Sequence, residues 1–392
     1  MKKFISILAL IVSFLPVYAQ TVYTTEIKYE KDEYWWGGVV ALGSRMPYIQ
    51  PVKEFDLSLQ NNNNQVVPFF LSNKGRYIWS NSPFFFEVKE GILNVKSEYE
   101  KINVIQAGKS LKEAYLAACK KHFPPSGVLP DPLFFTMPQY NTWLELMYDQ
   151  NQHDILKYAQ SIIDNGFPKG VLMIDDNWQK HYGHFEFKAD KSPNPKEMVD
   201  KLHNMGFKVM LWICPFVSAD SPEYRELAKK GYLLKRKGTN SPAIVSWWNG
   251  QSACYDLTNP DAFNYYVGIL KNMQKEYGID GFKLDAGDNS FYNPKYIDSY
   301  KKDAMSVDHT IAWAKIGLEF PFNEYRAGWR MGGEALVQRL GDKDYSCNAF
   351  QILIPDMIDA GLFGYAYVSA DMIGRGQVSS FIGIDEDKFT QP

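Results

Sequence analysis

Between residues 134 and 371, short apolar runs alternate with segments that have the pattern of amphipathic helices. This feature limits the possible folds most strongly, because continuous apolar strands that alternate with helices form parallel sheets covered by helices. The helical segments at residues 194–206 and 259–278 each open on Asn-Pro and close on Gly, as helices commonly do. Seven such units predict an α/β fold, a (β/α)8 TIM barrel. The apolar runs are LFFT, GVLMIDDNW, KVMLWICPF, IDGFKLDAG, EYRAG, ALVQRLGD and FGYAYVSAD.

Seven strands are one fewer than a closed barrel of this kind contains. After Asp371 the sequence MIGRGQVSSFIGIDEDKFTQP shows no convincing eighth strand. An open barrel would leave an exposed strand edge, which proteins generally avoid. We therefore expect a barrel that is truncated at its C-terminus. The alternative is a barrel closed by a short and irregular last strand.

The residues before the barrel have a different pattern. Residues 21–105 contain short β-rich runs separated by turn residues and show no long helical period. This pattern predicts an antiparallel β-sandwich. A linking helix is expected over residues 110–122, and PPSGVLPDP marks a boundary. The expected domains are a β-sandwich over residues 20–125 and a catalytic barrel over residues 126–392.

The first residues, MKKFISILALIVSFLPVYAQ, have the form of a secretory signal peptide. Two lysines precede an apolar stretch, and V-x-A forms a cleavage site before Gln20. The apolar stretch is shorter than the roughly 20 residues that a membrane span needs. We expect a signal peptide at residues 1–19, a secreted or periplasmic protein, and no membrane span after cleavage.

Composition excludes some functions and favours others only slightly. The formal net charge of −3 gives no indication of a nucleic-acid or acidic-membrane partner. Aromatic residues make up 15% of the chain, and aromatic faces stack on sugar rings, although large cores also use many aromatics. The cysteines lack the paired spacing of a zinc site, and we expect all of them to be free and buried. They are Cys119, Cys214, Cys254 and Cys347.

Polar residues recur where the predicted barrel strands end. In a barrel of this type, side chains at the C-terminal ends of the strands form the active site. Any single residue of this kind can instead be a helix cap, a turn former, an ion-pair partner or a core residue. Acids at the ends of four of seven strands are hard to explain by capping alone. The residues are Asp175, Asp176, Trp212, Asp285, Arg326, Asp342 and Asp371.

The stretch IDGFKLDAGDNS places charges within a strand-like run. Because side chains alternate along a strand, Lys283 and Asp285 share one face while Phe282 and Leu284 share the other. A buried lysine requires carboxylate partners, and the spacing predicts Asp285 as one of them. A nearby cation keeps Asp285 ionised, as nucleophilic attack on a sugar C1 requires. A second carboxyl must then donate a proton.

Asp342 is the best candidate for this proton donor, because it ends a different strand from Asp285. Asp344 is the second candidate, and it lies two residues further into the loop.

Several motifs of the sequence, in their order along the chain, resemble those of glycoside hydrolase family 31. The segment at residues 140–159 resembles the branch of that family that contains the myogenesis-regulating glycosidase. The matching motifs are IDDNW (174–178), WICPF (212–216), KLDAGD (283–288), RAGW (326–329), LGD (340–342) and ADMIG (370–374).

This resemblance implies a retaining, exo-acting α-glycosidase with a β-sandwich before its barrel. Asp285 would be the nucleophile and Asp342 the acid/base, with the two carboxyls about 5–5.5 Å apart. The substrate would be an α-linked non-reducing-end hexose, an α-galactoside or an α-glucoside, although the family also includes α-xylosidases. No metal or organic cofactor is expected. The residues implied to shape the sugar subsite are Asp175, Trp212, Lys283, Arg326 and Asp371, and the pair Asp175-Asp176 is also similar to α-galactosidases of related families.

The β-sandwich is a further candidate source of cleft residues, and Trp35 or Trp36 is expected in the cleft wall.

Two other functions stay open. One is a non-catalytic sugar-binding protein that has kept the cleft. The other is a metal-dependent barrel hydrolase that uses Asp175, Asp176 and Asp285 as ligands. Such a hydrolase would have histidines at its strand ends, whereas the six histidines here fall in predicted helices or loops.

Overall fold

The structure is a computed structural model that describes residues 21–59 and 65–371. The predicted signal peptide and the sequence after Asp371, which bears on the question of an eighth strand, lie outside the described residues. None of the described helices is both long and apolar enough to cross a membrane.

The N-terminal region contains two antiparallel sheets. Their strands are β1 (Tyr23–Lys28), β2 (Trp35–Val39), β3 (Val52–Asp56), β4 (Gln65–Ser72), β5 (Arg76–Trp79), β6 (Phe85–Lys89), β7 (Ile92–Ser97) and β8 (Val104–Gln106). The first sheet has the order β1-β7-β6-β3. In the second, β4 pairs with β5 and β2, and β5 pairs with β8.

Side chains from both sheets meet in one hydrophobic core. Leu93 and Val95 alternate with more exposed residues along β7, as expected for a strand with one buried face. Phe70 and Phe86 meet edge to face across the core, with ring centroids 4.9 Å apart. Trp35 also belongs to this core and has no exposed surface, so it does not line the cleft, while Trp36 is partly buried and stays a prediction for the cleft wall.

The helix α1 (Leu111–His122) follows the sheets, as predicted. The Ser110 hydroxyl accepts a hydrogen bond from the backbone N–H of Glu113, which satisfies one of the free donors at the helix start. Ala114 and Ala118 are buried in a cluster that includes side chains of β4 and β5. The helix is therefore attached to the outer face of the second sheet.

The remaining residues form a curled parallel sheet with smaller antiparallel additions. Their strands are β9 (Gln139–Asn141), β10 (Val171–Ile174), β11 (Lys208–Ile213), β12 (Phe216–Ser218), β13 (Lys235–Arg236), β14 (Val245–Trp247), β15 (Gly250–Cys254), β16 (Gly281–Leu284), β17 (Ile297–Asp298), β18 (Phe322–Tyr325), β19 (Gly328–Trp329), β20 (Gln338–Arg339) and β21 (Val368–Ser369). The parallel sheet has the order β9-β10-β11-β16-β18-β20-β21. The stretch IDGFKLDAGDNS thus supplies its fourth strand.

Helices occupy most connections of the parallel sheet. They are α2 (Leu133–Thr136), α3 (Trp143–Leu146), α4 (Gln152–Asp164), α5 (Pro195–Met205), α6 (Pro222–Lys230), α7 (Pro260–Tyr277), α8 (Ser306–Gly317) and α9 (Cys347–Leu362). Gly206 and Gly278 end α5 and α7 with φ values of 98° and 82°, as the sequence predicted.

Two segments predicted as strands differ in the structure. The run GVVALGS, one of the β-rich runs expected as strands within residues 21–105, leaves β2 at Val39 and continues as a 3-10 helix over Val40–Arg45. The run LFFT, expected as the first barrel strand, is the short helix α2. The Asp131 side chain accepts a hydrogen bond from the Leu133 N–H at its start, which favours the helical turn. The first parallel strand is β9 instead.

Cys214 and Cys254 are buried, and all four cysteines are free, as expected. The expectation that every cysteine is buried is wrong, because Cys119 is only partly buried and Cys347 is exposed at the start of α9.

The parallel strands turn apolar side chains towards the helices, as their alternation predicted. Phe282 and Leu284 of β16 are fully buried in the cluster that includes the helices α4, α5, α7 and α8. On the other face, Met173, Met210 and Phe322 form an apolar layer inside the curl of the sheet. The charged residues on this face lie next to the apolar layer, nearer to the C-terminal ends of the strands.

The described sheet does not close into a barrel. Its edge strands are β9 and β21, and no pairing joins them within the described residues. A cavity of about 280 Å³ lies between these edges, lined in part by Asn141, Glu324, Ser369 and Asp371. The observed fold is thus an N-terminal pair of antiparallel sheets followed by a curled parallel sheet of seven described strands.

The two parts of the fold are joined next to the charged layer. β19, which includes Trp329, pairs in parallel with β4 of the N-terminal region. The Gln65 side-chain amide donates hydrogen bonds of 2.6 and 2.9 Å to the backbone carbonyls of Arg326 and Arg339. The N-terminal region thus fixes the backbone of two arginines that the parallel sheet carries.

Candidate active site

Strand register brings charged and aromatic side chains into one layer. Lys283 of β16 lies directly beside Trp212 of β11 on one side and beside Glu324 of β18 on the other. Asp285 follows two residues later on the same face, and its backbone N–H continues the ladder to the Ile213 carbonyl at 2.9 Å. Period-two alternation therefore directs both Lys283 and Asp285 into the interior of the curled sheet.

Asp285 is held by donors on three sides. The Trp212 indole N–H donates to its Oδ2 at 2.8 Å. The Arg339 guanidinium donates to its Oδ1 at 3.1 Å, and Arg326 Nη1 lies 3.7 Å from the same oxygen. Burial by itself would raise the pKa of Asp285, but Arg339, Arg326 and Lys283 outweigh it and hold the pKa well below its usual range. Asp285 is therefore an ionised, fixed carboxylate.

Lys283 forms its direct ion pair with Asp175. Its Nζ lies 2.8 Å from Asp175 Oδ2, and both side chains are buried. The Asn141 amide donates to the same oxygen at 2.7 Å. Although burial favours the neutral amine, Asp175 raises the pKa of Lys283 above its usual value. The sequence predicted Asp285 as one of the carboxylate partners of Lys283. The Asp285 charge does help to raise the pKa of Lys283, but the carboxylate in direct contact is that of Asp175, which follows β10.

Asp176 faces a different group of residues from its neighbour Asp175. The Asn249 amide donates to its Oδ2 at 2.6 Å, and the Tyr182 hydroxyl lies 3.2 Å from Oδ1. Burial, together with the nearby Asp175 carboxylate, raises the pKa of Asp176 to about 7. Asp176 can therefore exchange a proton near neutral pH.

Arg326 links the loops around the site. Its Nε lies 3.3 Å from the carboxylate of Asp288, which is buried. The Arg326 guanidinium also stacks at 4.6 Å on the Trp248 ring, and Trp248 is 44% exposed. Asp288 thus supports Arg326, while Trp248 packs on Arg326 and keeps part of its surface in solvent. Sequence reasoning did not identify Trp248.

Arg339 is the central cation of the site, although it was not among the residues predicted from the sequence. Besides its bond to Asp285, its Nη1 donates to Asp342 Oδ1 at 2.9 Å. Nη1 also lies 3.5 Å from Asp371 Oδ1, and Nε lies 4.0 Å from Glu324. One guanidinium therefore connects Asp285 and Asp342, the two carboxylates proposed for catalysis.

The two carboxylates differ in their access to solvent. The Asp342 side chain is 32% exposed, and that of Asp285 is 10% exposed. A group that must give and take protons benefits from such access, whereas a nucleophile benefits from being fixed. This difference agrees with the roles that the resemblance implied.

The remaining predicted site residues lie in the same layer. Trp212 contacts Asp285 and Asp371 contacts Arg339, so the structure brings together the proposed catalytic and sugar-subsite residues, with Asp176 beside them and Trp35 outside the site. Glu324 and Arg339 were missed. Glu324 carries the signal that identified Lys283, because it is a charged residue inside a buried strand, whereas Arg339 lies in a strand of only two residues.

The site is poorly suited to a metal ion bound by Asp175, Asp176 and Asp285. Asp175 is already paired with Lys283, and Asp285 lies between two arginines. These fixed positive charges would repel a divalent cation at short range.

The wild type is expected to lose stability as the pH rises, because Glu324 is buried, and the variant Glu324→Gln should not show this loss. Burial raises the pKa of Glu324 to about 7, against the attraction of Lys283 and Arg339. A folded-state pKa above the unfolded value lowers stability as the pH rises from about 4.3 to about 7. Between pH 4 and pH 8 the variant should therefore gain on the order of 3 kcal/mol in unfolding free energy relative to wild type.

Urea unfolding of both proteins across this pH range measures the difference. Glu319→Gln is the control, because Glu319 forms a surface ion pair with Lys271. Identical pH dependence in wild type and Glu324→Gln would contradict the elevated pKa of Glu324.

Comparison with known proteins identifies the family of the chain. The family model for the glycosyl hydrolases family 31 TIM-barrel domain matches residues 135–377. The chain is 30% identical to the myogenesis-regulating glycosidase of Mus musculus over 267 residues, which cover 66% of this chain and 37% of that protein. It is 26% identical to an α-xylosidase of Emericella nidulans over 330 residues, 79% of this chain and 41% of the relative. The chain thus spans less than half the length of these curated relatives.

Solved structures show the same fold. The GH31 dextranase of Flavobacterium johnsoniae complexed with glucose superposes with a TM-score of 0.73 at 18% identity, over 88% of this chain and 46% of that one. A GH31 α-xylosidase from a soil metagenome complexed with xylose gives a TM-score of 0.75 at 20% identity, over 90% and 53%. The match over most of the parallel-sheet region and the similarity to these relatives establish that the chain belongs to glycosyl hydrolase family 31.

Proposed function

We propose that the protein is a retaining, exo-acting α-glycoside hydrolase that removes an α-linked hexose, galactose or glucose, from the non-reducing end of oligosaccharides or glycans. The observation that carries the proposal is the shared guanidinium of Arg339. It holds the buried carboxylate of Asp285 and the more exposed carboxylate of Asp342 in one site.

In the first step, an Asp285 oxygen attacks C1 of the sugar as the bond from C1 to the leaving oxygen breaks. Asp342 donates its proton to that oxygen, and a β-glycosyl ester forms on Asp285. In the second step Asp342 accepts a proton from water, which attacks C1 and releases Asp285. Two inversions at C1 give a product that keeps the α configuration.

The electrostatics around Asp285 support this chemistry. Arg339 and Arg326 keep the carboxylate ionised before attack, and Trp212 fixes its second oxygen. When the ester forms, Asp285 loses its negative charge, while the oxocarbenium-like transition state carries positive charge. The nearby carboxylate of Asp371 favours that charge, and so does Glu324 when it is ionised, above its pKa of about 7.

The sugar subsite is assigned to the layer around the ion pair of Lys283 and Asp175. Paired charges at the floor of a pocket can exchange hydrogen bonds with sugar hydroxyls without leaving a charge uncompensated. Trp212 and Asp371 belong to the same layer, and Asp176 lies beside it. Trp248 adds an exposed aromatic surface on which a sugar ring can stack.

The first test is turnover by the full-length chain of three nitrophenyl α-glycosides. The galactoside and glucoside differ at C4, and the xyloside lacks the C6 hydroxymethyl group of the glucoside. The proposal expects faster hydrolysis of one hexoside than of the xyloside, with NMR showing the α-anomer as the first product. The xyloside is included because α-xylosidases occur among the relatives.

Three outcomes would contradict the proposal. Preferential hydrolysis of the xyloside would overturn the choice of a hexose, and a β-anomeric first product would overturn retention. Binding of the sugars without any turnover would favour the non-catalytic alternative.

Two further assignments complete the proposal. The signal peptide at residues 1–19 implies a secreted or periplasmic location. The expected boundaries place a β-sandwich domain at residues 20–125 and the catalytic domain from residue 126.

A further inference from the structure

A cluster of two histidines and a glutamate lies outside the proposed active site. His181 and His184 belong to the loop after β10, and Glu223 lies in the first turn of α6. The His181 Nε2 atom and the His184 Nδ1 atom each lie 2.6 Å from a different oxygen of the Glu223 carboxylate. Two imidazoles therefore converge on one carboxylate.

The geometry of this cluster suits a metal ion. One ligand atom from each of the three residues lies within 4.8 Å of the others. Ligands of tetrahedral zinc lie about 2.0–2.2 Å from the ion, and thus roughly 3.3 Å from one another. The three side chains are only 21–25% exposed, so they are partly fixed and yet open to an ion from solvent.

His184 has carboxylates at both ring nitrogens. While Nδ1 faces Glu223, Nε2 lies 3.2 Å from Glu186 Oε2. A neutral imidazole has one N–H, so it can donate to only one of these two acids. A metal ion on Nδ1 resolves the conflict, because Nε2–H then donates to Glu186. A carboxylate that orients a metal-bound histidine in this way is a common feature of metal sites.

We propose that His181, His184 and Glu223 bind one divalent transition-metal ion of the zinc class. Two neutral imidazoles and one carboxylate give a single net negative charge and leave a fourth position for water. From the sequence no metal ion is expected, so this proposal departs from that expectation. It is separate from the proposed active-site carboxylates and does not depend on the proposed function.

The site would stabilise the loop beside the sugar subsite. Tyr182 lies between the two histidines, its backbone N–H donates to the Ser218 hydroxyl, and its own hydroxyl contacts Asp176. A metal ion would connect this loop to α6 and so restrain Tyr182. We therefore assign the ion a structural role.

The experiment is a calorimetric titration of the metal-free, full-length chain with zinc chloride near neutral pH. We expect about one equivalent to bind, slower hydrogen exchange in residues 178–187, and a ligand-field spectrum of tetrahedral type when cobalt(II) replaces zinc. The variants His184→Gln and Glu223→Gln should each bind zinc at least tenfold more weakly, in line with the loss of a ligand.

His153→Gln is the matched control, because His153 is an exposed histidine that also contacts a carboxylate, that of Asp154. It should bind zinc as wild type does. The proposal is overturned if wild type binds no zinc, which would leave only a hydrogen-bonded cluster. It is also overturned if both cluster variants, checked for wild-type circular dichroism, bind zinc unchanged. Should one variant fail to fold, the other decides.

Discussion

Asp285→Asn is expected to lower kcat/KM for the preferred glycoside by at least about 10⁴-fold, the scale seen when an essential catalytic group is removed. An amide nitrogen or oxygen cannot form the β-glycosyl ester at a useful rate. The substitution keeps an acceptor for the Trp212 indole and nearly the same volume, so the loss should be chemical. Steady-state kinetics with the nitrophenyl substrate measures it.

Asp280→Asn is the matched control for this variant. Asp280 directly precedes β16, at the end opposite Asp285, where it accepts hydrogen bonds from Lys208 and the Val209 N–H. It should affect stability more than kcat. Turnover by Asp285→Asn at the wild-type rate would mean that the nucleophile has been assigned wrongly.

Asp342→Ala is expected to reduce activity in a way that depends on the leaving group. An alkyl α-glycoside needs a proton from Asp342, so its cleavage should fall by about 10²–10⁴-fold. Nitrophenolate leaves without a proton, so formation of the glycosyl ester from the nitrophenyl substrate should be much less affected. Added azide, which needs no general base, should then speed release of the sugar from Asp285. Rates with both substrates, with and without azide, test these expectations.

Asp344→Asn separates the two candidate proton donors. Asp344 lies two residues further into the same loop, and we expect that its variant retains activity on both kinds of substrate. If Asp344→Asn shows the leaving-group dependence and Asp342→Ala does not, the acid/base assignment must be exchanged.

Much of this site could be predicted because it depends on local alternation. A strand that buries Phe282 and Leu284 on one face must direct Lys283 and Asp285 to the other, whatever its neighbours are. The acids at the strand ends could likewise be predicted to meet, because the C-terminal ends of parallel strands lie at the same edge of the sheet. These two patterns identified Lys283 and Asp285, together with the four acids Asp175, Asp176, Asp342 and Asp371.

The remaining features depend on register between distant segments. Lys283 forms its direct ion pair with Asp175 rather than with Asp285. Asp175 follows β10, which is separated from β16 by β11, so this contact depends on the register of three strands. The sequence around Arg339 contains only a two-residue strand, too short for a periodic signal. The run LFFT has strand-like composition, but a local hydrogen bond from Leu133 to Asp131 favours a helix.

The central claim, that Asp285 attacks the sugar, is tested most directly by trapping the ester. A fluorosugar with a good leaving group slows the second step, so the labelled protein can be digested and its peptides examined by mass spectrometry. The account predicts one sugar per chain, on Asp285 within the peptide that contains IDGFKLDAGDNS. A label on any other residue would contradict the account, as would an absence of label despite inactivation.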